Sequence, residues 1–315
     1  MIHGRSKPKF GTQLNYGNPL SRGLICSMLM NENSGTRIND STASPTGKIT
    51  NEFRGSPTWI GGPFGPALYC DNMSTNPDYF KLNVYNLFTG LKQATVIFME
   101  KTISVNSYDG NAYISYPQND TMASSPYLNF SISTAKTAPY IINGHIGDGT
   151  GRDIFSTSNH AITLNAVEQI GMVWDGAVIR TILNGTVSTT SKKCTRTMTN
   201  RGTHLYINNV WTFDNTPNHA GVVEFYSMMI WNRALSVDEI SYLNAFPYAM
   251  FDSQKYWTYY SSSPTPPVTY LQTKMKIGGS WKTAVPKLVK VNGVWREITD
   301  GKIKISGDWK ALTKS

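Results

Sequence analysis

Apolar runs in this 315-residue chain are short, rich in β-branched and aromatic residues, and cut at close intervals by Gly, Asn and Pro. Such punctuation suits strands and turns. Val178-Ile179-Arg180-Thr181-Ile182-Leu183 runs into Asn184-Gly185 and then Thr186-Val187. Asn-Gly between two β-rich runs marks a two-residue hairpin, because both turn positions take positive φ. Residues 94–99, 204–207 and 222–231 read as further strands. With 40% hydrophobic and 12% aromatic residues the chain has the material for a sizeable core, and the expected class is all-β.

One short helix is expected near the end of the long β region. Ser236 is placed to cap it, Glu239 three residues on completes a capping box, and Leu235 with Ile240 can form a hydrophobic staple. Asp238 and Glu239 suit the positive end of the helix dipole, and Pro247 bounds the helix after roughly ten residues.

The formal charge of +9 and the isoelectric point near 9.3 invite a nucleic-acid reading, but the charge is uneven. Residues 274–315 hold ten basic side chains against Glu297, Asp300 and Asp308, and residues 1–10 add Arg5, Lys7 and Lys9 with no acid. The stretch between them, 11–273, has 16 basic and 17 acidic residues and is nearly neutral. Ser261-Ser262-Ser263-Pro264-Thr265-Pro266-Pro267 reads as an extended spacer. The expected domains are a basic arm (1–15), a β domain (16–260), a Ser/Pro-rich linker (261–273) and a small terminal module (274–315).

Cys26, Cys70 and Cys194 lack metal-ligand spacing; three free thiols is the plain reading, and one Cys26–Cys70 bridge is the alternative. The first residues contain no apolar secretion segment, and the nearly apolar run 23–30 is far short of the ~20 residues that cross a bilayer. The expectation is therefore a protein with no membrane partner, made in a cytoplasm. The five His show no paired ligand spacing, and no phosphate-loop, dinucleotide or nucleophile-elbow motif occurs.

Five segments stand out: residues 23–36, with Asn31-Glu32-Asn33-Ser34-Gly35-Thr36; Asp40-Ser41; Phe64-Gly65-Pro66-Ala67-Leu68-Tyr69-Cys70-Asp71; Asp78-Tyr79-Phe80-Lys81-Leu82; and residues 224–240, ending Asn232-Arg233-Ala234-Leu235-Ser236-Val237-Asp238-Glu239-Ile240. Together they resemble the laminin-G-like branch of the concanavalin A-like lectin/glucanase superfamily. The first two are similar to that family's opening strand and turn and its frequent D-S-S-G, the next two to its F-G-x-A-L-x-F-D-G and D-Y-V-x-I strands, and the last to its closing strand and helix. Over about residues 16–250 the resemblance implies a two-sheet antiparallel jelly-roll sandwich with one short helix.

That superfamily contains both lectins and glycosidases, so fold leaves function open. Its laminarinase-like hydrolases carry E-x-D-x-x-E on one strand, which aims acid and nucleophile into one cleft. The seven Glu here stand at 32, 52, 100, 168, 224, 239 and 297, no two of them five apart, so no catalytic residue is assigned and a non-enzyme is expected. The resemblance also implies a Ca2+ site at Asp71, Asn72 and Asp78, although Asn72 stands where Gly is usual. The same three residues equally suit a polar loop between strands. Trp59, Trp174 and Trp211 suit sugar stacking, core packing or protein contact.

The terminal module repeats with a period of 14. Met275-Lys276-Ile277-Gly278-Gly279-Ser280-Trp281-Lys282 recurs as Val289-Lys290-Val291-Asn292-Gly293-Val294-Trp295-Arg296 and as Ile303-Lys304-Ile305-Ser306-Gly307-Asp308-Trp309-Lys310. Two-residue turns at the same point of each copy would set Lys276 opposite Trp281, Lys290 opposite Trp295 and Lys304 opposite Trp309, where a Lys stem covers an indole. The expected architecture is a β-meander of three hairpins, with reason to pack on a partner or on copies of itself. Nucleic-acid stacking is the lesser reading, since the cross-strand pairing already occupies the Trp faces.

Repeats of this kind after a Pro/Ser linker resemble C-terminal modules of tailed-bacteriophage virion proteins. The two resemblances together imply a non-enzymatic virion component, a capsid decoration or tail appendage. It would be anchored on other capsid or tail proteins by one basic end or both, homo-oligomeric, and able to touch host-surface glycan. The alternative is a receptor-binding or saccharide-modifying tail protein.

Overall fold

A computed structural model describes residues 6–42, 50–71, 78–83, 87–88, 90–106, 111–117, 128–147, 153–195, 204–208 and 221–251, and six strand segments between 273 and 311. The chain divides into two units, Met1–Tyr256 and Trp257–Ser315. The expected linker lies outside the described residues save for Thr273, which opens a strand.

The first unit holds β1 (Leu24–Met28), β2 (Thr50–Arg54), β3 (Thr58–Gly62), β4 (Gly65–Cys70), β5 (Tyr79–Asn83), β6 (Ala94–Ser104), β7 (Ala112–Pro117) and β8 (Leu128–Thr134). It continues with β9 (Ile141–Gly147), β10 (Asp153–Ala161), β11 (Val167–Trp174), β12 (Val178–Leu183), β13 (Thr186–Val187), β14 (Lys192–Lys193), β15 (His204–Ile207), β16 (Val222–Trp231) and α1 (Val237–Ala245). Among the described residues these strands form two antiparallel sheets. A nine-stranded sheet runs β13-β12-β11-β6-β16-β4-β3, with β1 also on β16 and β14 on β12. A seven-stranded sheet runs β10-β9-β8-β7-β15-β5-β2. The Asn-Gly hairpin is as expected: Leu183 pairs with Thr186, and Asn184 and Gly185 take φ of 48° and 80°.

Strand alternation sorts the side chains. Val96, Phe98, Met172, Trp174, Phe225 and Met228 of the nine-stranded sheet meet Phe80, Leu82, Ile114, Ile132, Ile146 and Ile207 of the other in one buried core. Gly144 lets the sheets come close, for a Cβ there would lie 2.7 Å from the Met172 sulfur. Cys26 and Cys70, both buried, pair with Ile230 and Val223, seven positions apart on β16. That is roughly 23 Å of strand, so no Cys26–Cys70 bridge can form.

The outer face of the nine-stranded sheet is apolar as well. Ile97, Met99, Val173, Met229 and Trp231 face a second cluster made with Leu235, Ile240 and Leu243 of the helix and Leu14 and Leu20 of the N-terminal segment. The helix start is as expected: Ser236 accepts from the Glu239 amide and Glu239 reaches back to the Ser236 amide, while the staple residues Leu235 and Ile240 are both buried.

Two expectations are corrected. Residues 6–15 are not a separate basic arm but part of the sandwich unit. The Lys7 amide donates to Phe64 O at 2.9 Å, its ammonium donates to the Met30 and Pro66 carbonyls, and the Asn15 amide donates to Met250 O at 2.8 Å. The aliphatic Leu14 draws the segment onto the apolar face, and the carbonyls left open at strand ends take up the lysine. In the second unit, β17 (Thr273–Ile277), β18 (Ser280–Ala284), β19 (Val289–Val291), β20 (Val294–Arg296), β21 (Lys302–Ile305) and β22 (Asp308–Ala311) form three hairpins, each a two-stranded sheet of its own. No pairing joins one hairpin to the next among the described residues, which show three separate hairpins in place of the expected continuous meander.

Candidate functional site

The outer face of the seven-stranded sheet is polar where its inner face is apolar. One row of register partners crosses it: His145, Ser131, Ser115, Tyr206, Lys81 and Glu52. Each alternates with a core residue on its own strand, so the row shares one face. At its centre Ser115, Ser131, His145 and Tyr206 are 0–4% exposed. Towards β5 and β2 the row opens, with Lys81 half-buried and Glu52 exposed, and His204, two residues before Tyr206 on β15, is half-buried beside it. There the Tyr206 ring lies 6.1 Å from that of Tyr79 and 6.4 Å from that of His204. Hydroxyls, imidazoles, an ammonium and a carboxylate on one rigid sheet make a donor and acceptor set suited to a hydroxyl-rich ligand. Glu52 is the row's one carboxylate, whereas hydrolysis of a glycosidic bond calls for two.

At the expected calcium corner Asp78 is 7% exposed, and its two carboxylate oxygens accept the Ser56 and Asp71 amides, the second at 3.0 Å. The Asp78 amide in turn donates to Asp71 O at 2.9 Å, and Asn208 donates to Asp78 O at 3.0 Å. Asp78 thus ties the β2–β3 turn to the end of β4, and it brings two of the three expected ligand residues, Asp71 and Asp78, together. No cluster of three or more metal-ligating side chains occurs among the described residues. Asn72 and Trp211 lie outside them. Trp174 is a core residue whose indole donates to Cys194 O at 3.0 Å, and half-buried Trp59 donates to Gly35 O at 2.8 Å.

Inside the sandwich a bulge in β7 turns both Tyr113 and Ile114 inwards. The Tyr113 hydroxyl meets Thr102 Oγ1 at 2.8 Å, and Thr102 donates to Glu100 Oε2 at 2.8 Å, a hydrogen-bonded chain from one sheet to the other. Glu100 is fully buried, its Oε1 has no hydrogen-bond partner, and it pairs across strands with Glu168. Burial pushes the Glu100 carboxyl well above the ordinary range, helped by the charge of Glu168. On the other side of that sheet Glu224 accepts from Lys101 at 2.9 Å and from the Tyr226 hydroxyl, and the Lys7 ammonium lies 5.8 Å from the Tyr226 ring centre. Burial lowers the Lys7 amine to about 7, with Glu32 opposing the shift.

In the terminal module the backbone register pairs Lys276 with Trp281, Lys290 with Trp295 and Lys304 with Trp309, as the repeat spacing predicts.

No protein-family model and no curated protein matches the chain. Solved structures do. Domain 4 of AbnA, a GH43 extracellular arabinanase from Geobacillus stearothermophilus solved in complex with arabinotriose, matches at 14% identity and a TM-score of 0.50, over 70% of this chain and 98% of that one. The botulinum neurotoxin type C structure, from work on cell entry through two ganglioside molecules, matches at 12% identity and a TM-score of 0.54 over 71% of this chain. The binding domain of Paraclostridial Mosquitocidal Protein 1 matches at 14% identity and a TM-score of 0.55, also over 71%. The match spans about half of each toxin chain (51% and 52%). At these identities the likeness is one of fold. The body of this chain is a two-sheet antiparallel sandwich, similar in fold to these domains.

Proposed function

We propose that the protein is a non-enzymatic, glycan-binding component of a bacteriophage virion, a capsid decoration or tail appendage made in the host cytoplasm. In this reading the first unit is a laminin-G-like jelly roll that meets host-surface glycan, and the terminal hairpins join it to capsid or tail proteins and to further copies of the chain. The observation that carries the glycan part is the polar row on the seven-stranded sheet, open at His204, Lys81 and Glu52. The neighbours of similar fold solved or studied with arabinotriose and gangliosides support it. The virion part is supported by the basic hairpin repeat behind a Pro/Ser spacer. In this reading sugar binding rests on the side chains of the sheet face and needs no metal; the Ca2+ expected at Asp71, Asn72 and Asp78 is the alternative, and loss of binding in EDTA would favour it.

A glycan array tests the reading. The full chain should bind a defined subset of glycans in the presence of EDTA, and Lys81→Ala with His204→Ala should abolish that binding without moving the Tm. Binding unchanged in the double variant would remove the sheet face as the site. Reducing-sugar release from a bound polysaccharide would overturn the non-enzymatic part in favour of a saccharide-modifying appendage.

A further inference from the structure

Each terminal hairpin is a two-stranded sheet of its own, so among the described residues both of its outer edges are unpaired. Ile277 pairs with Ser280, Val291 with Val294 and Ile305 with Asp308, each across two intervening residues. The closing pair of a two-residue hairpin exchanges both of its hydrogen bonds, and the next pair exchanges none. That next pair is Lys276 with Trp281, Lys290 with Trp295 and Lys304 with Trp309. The backbone N–H and C=O groups of these residues therefore face outwards. Those of the lysines lie on the edge of the first strand, and those of the tryptophans on the edge of the second.

The three first strands alternate alike: Met275-Lys276-Ile277, Val289-Lys290-Val291 and Ile303-Lys304-Ile305. Lys274 and Lys302, two positions earlier, extend the lysine face in the first and third copies. A strand that adds to such an edge sets its residues by turns on the lysine face and on the face of Met275, Ile277 and their counterparts. Opposite charges directly across a pair are favoured and like charges are not. The edge thus rejects the same strand of another copy and complements a strand in which acidic and apolar residues alternate. The ten basic side chains of the module, against three acidic ones, attract such a partner from a distance. No two of the chain's 20 acidic residues stand two positions apart, so the chain holds no strand of that kind itself. We infer that each terminal hairpin takes up, on the free edge of its first strand, an extended segment of a different protein that alternates acidic and apolar residues. This rests on the reading of the hairpins as the attachment module and names what that module would grip.

Isothermal titration of the full chain with a capped octapeptide of alternating Val and Glu tests this. The comparison probes are its Val–Lys counterpart, a Val–Glu peptide N-methylated at each Glu, and oligo(dT). Three Val–Glu peptides should bind per chain, one to a hairpin, with affinity falling as salt rises. The methylated peptide should bind roughly tenfold more weakly, since each blocked amide forfeits a hydrogen bond to the edge, and it tests that edge without altering the protein. The Val–Lys peptide should not bind. Lys304→Glu should lower the count from three to two, and Lys276→Glu with Lys290→Glu and Lys304→Glu should turn the preference over to the Val–Lys peptide. Four results would overturn the inference: no Val–Glu binding, equal binding of the methylated peptide, tighter binding of oligo(dT), or Val–Glu binding unchanged in the triple variant. Full chains that take up no peptide, yet associate with one another in sedimentation velocity and cease to do so in the triple variant, would sink strand addition while leaving the attachment reading standing.

Discussion

The outer faces of the two sheets have opposite chemistry. That of the nine-stranded sheet is built from Ile97, Met99, Val173, Met229 and Trp231 and is closed by a helix and the N-terminal segment. That of the seven-stranded sheet carries Ser115, Ser131, His145, Tyr206, Lys81 and Glu52. A sheet needs one apolar face to form a sandwich; a second apolar face must be covered by something else in the chain. The nine-stranded sheet thus fixes the N-terminal and C-terminal ends of the domain to each other. The seven-stranded sheet keeps a polar outer face, closed at its centre and open at Lys81 and Glu52.

The largest expected effect breaks the apolar side. Trp231 is fully buried, and its indole donates to Leu20 O at 2.7 Å, so it is both a core residue and a clasp for the N-terminal segment. Trp231→Ala should cost about 3–5 kcal/mol in urea unfolding. It should also open a proteolytic site in residues 6–21. On the polar face Lys81→Ala, half in solvent, should stay within about 0.5 kcal/mol of wild type. Equal losses from the two substitutions would mean that both faces serve stability and that the contrast is false.

Between the faces, Glu100 separates packing from ionisation. Its native carboxyl holds its proton to higher pH than in the unfolded chain, because burial disfavours the charged form. As pH rises above the ordinary glutamate range the unfolded chain loses the proton first, so stability falls until the native group titrates too. Glu100→Gln keeps the shape and has no proton to lose. Its unfolding free energy should be flatter between pH 5 and 7 than that of the wild type, read by urea denaturation at each pH. An unchanged slope would assign the pH dependence to other groups.

How much of this was legible in the sequence depended on how local each device is. The Asn184-Gly185 turn, the Ser236–Glu239 capping box and the Lys–Trp register of the hairpins are set by residues within a few positions of one another, and each is found as expected. The polar row draws its members from positions 52 to 206 on six strands, and only sheet order brings them together. Asp78 reads as a metal ligand because its chemistry is that of one; the bonds it accepts from the Ser56 and Asp71 amides carry no side-chain signal and are visible only in the fold. The bulge that turns Tyr113 inwards lies at Ala112-Tyr113-Ile114, where no glycine or proline announces it.

Lys7 gives the smallest effect and probes the cover of the apolar face. Counted by sequence it is one of three charges on a basic arm; in the fold its ammonium is inserted against the Met30 and Pro66 carbonyls beside the Tyr226 ring. Burial lowers its amine to about 7 against 10.5 in the unfolded chain. Below pH 7 both states are charged and the native state bears the desolvation cost. From about pH 7 to 10.5 the native amine is neutral while the unfolded one keeps its proton, so this group makes stability rise with pH, opposite in sign to Glu100. Because the residue is half-buried, solvent screening holds the gain to about 1 kcal/mol. Lys7→Met should remove this contribution, read as the difference between Lys7→Met and its parent in urea unfolding at pH 7 and 9.5, both in the Glu100→Gln background; the buried Cys26 and Cys70 thiols, whose pKa burial raises, pull stability down over the same window equally in both. An equal change with pH in the two would show that the N-terminal segment is held by its backbone bonds and Leu14 alone, and the cover of the apolar face would then owe nothing to the lysine.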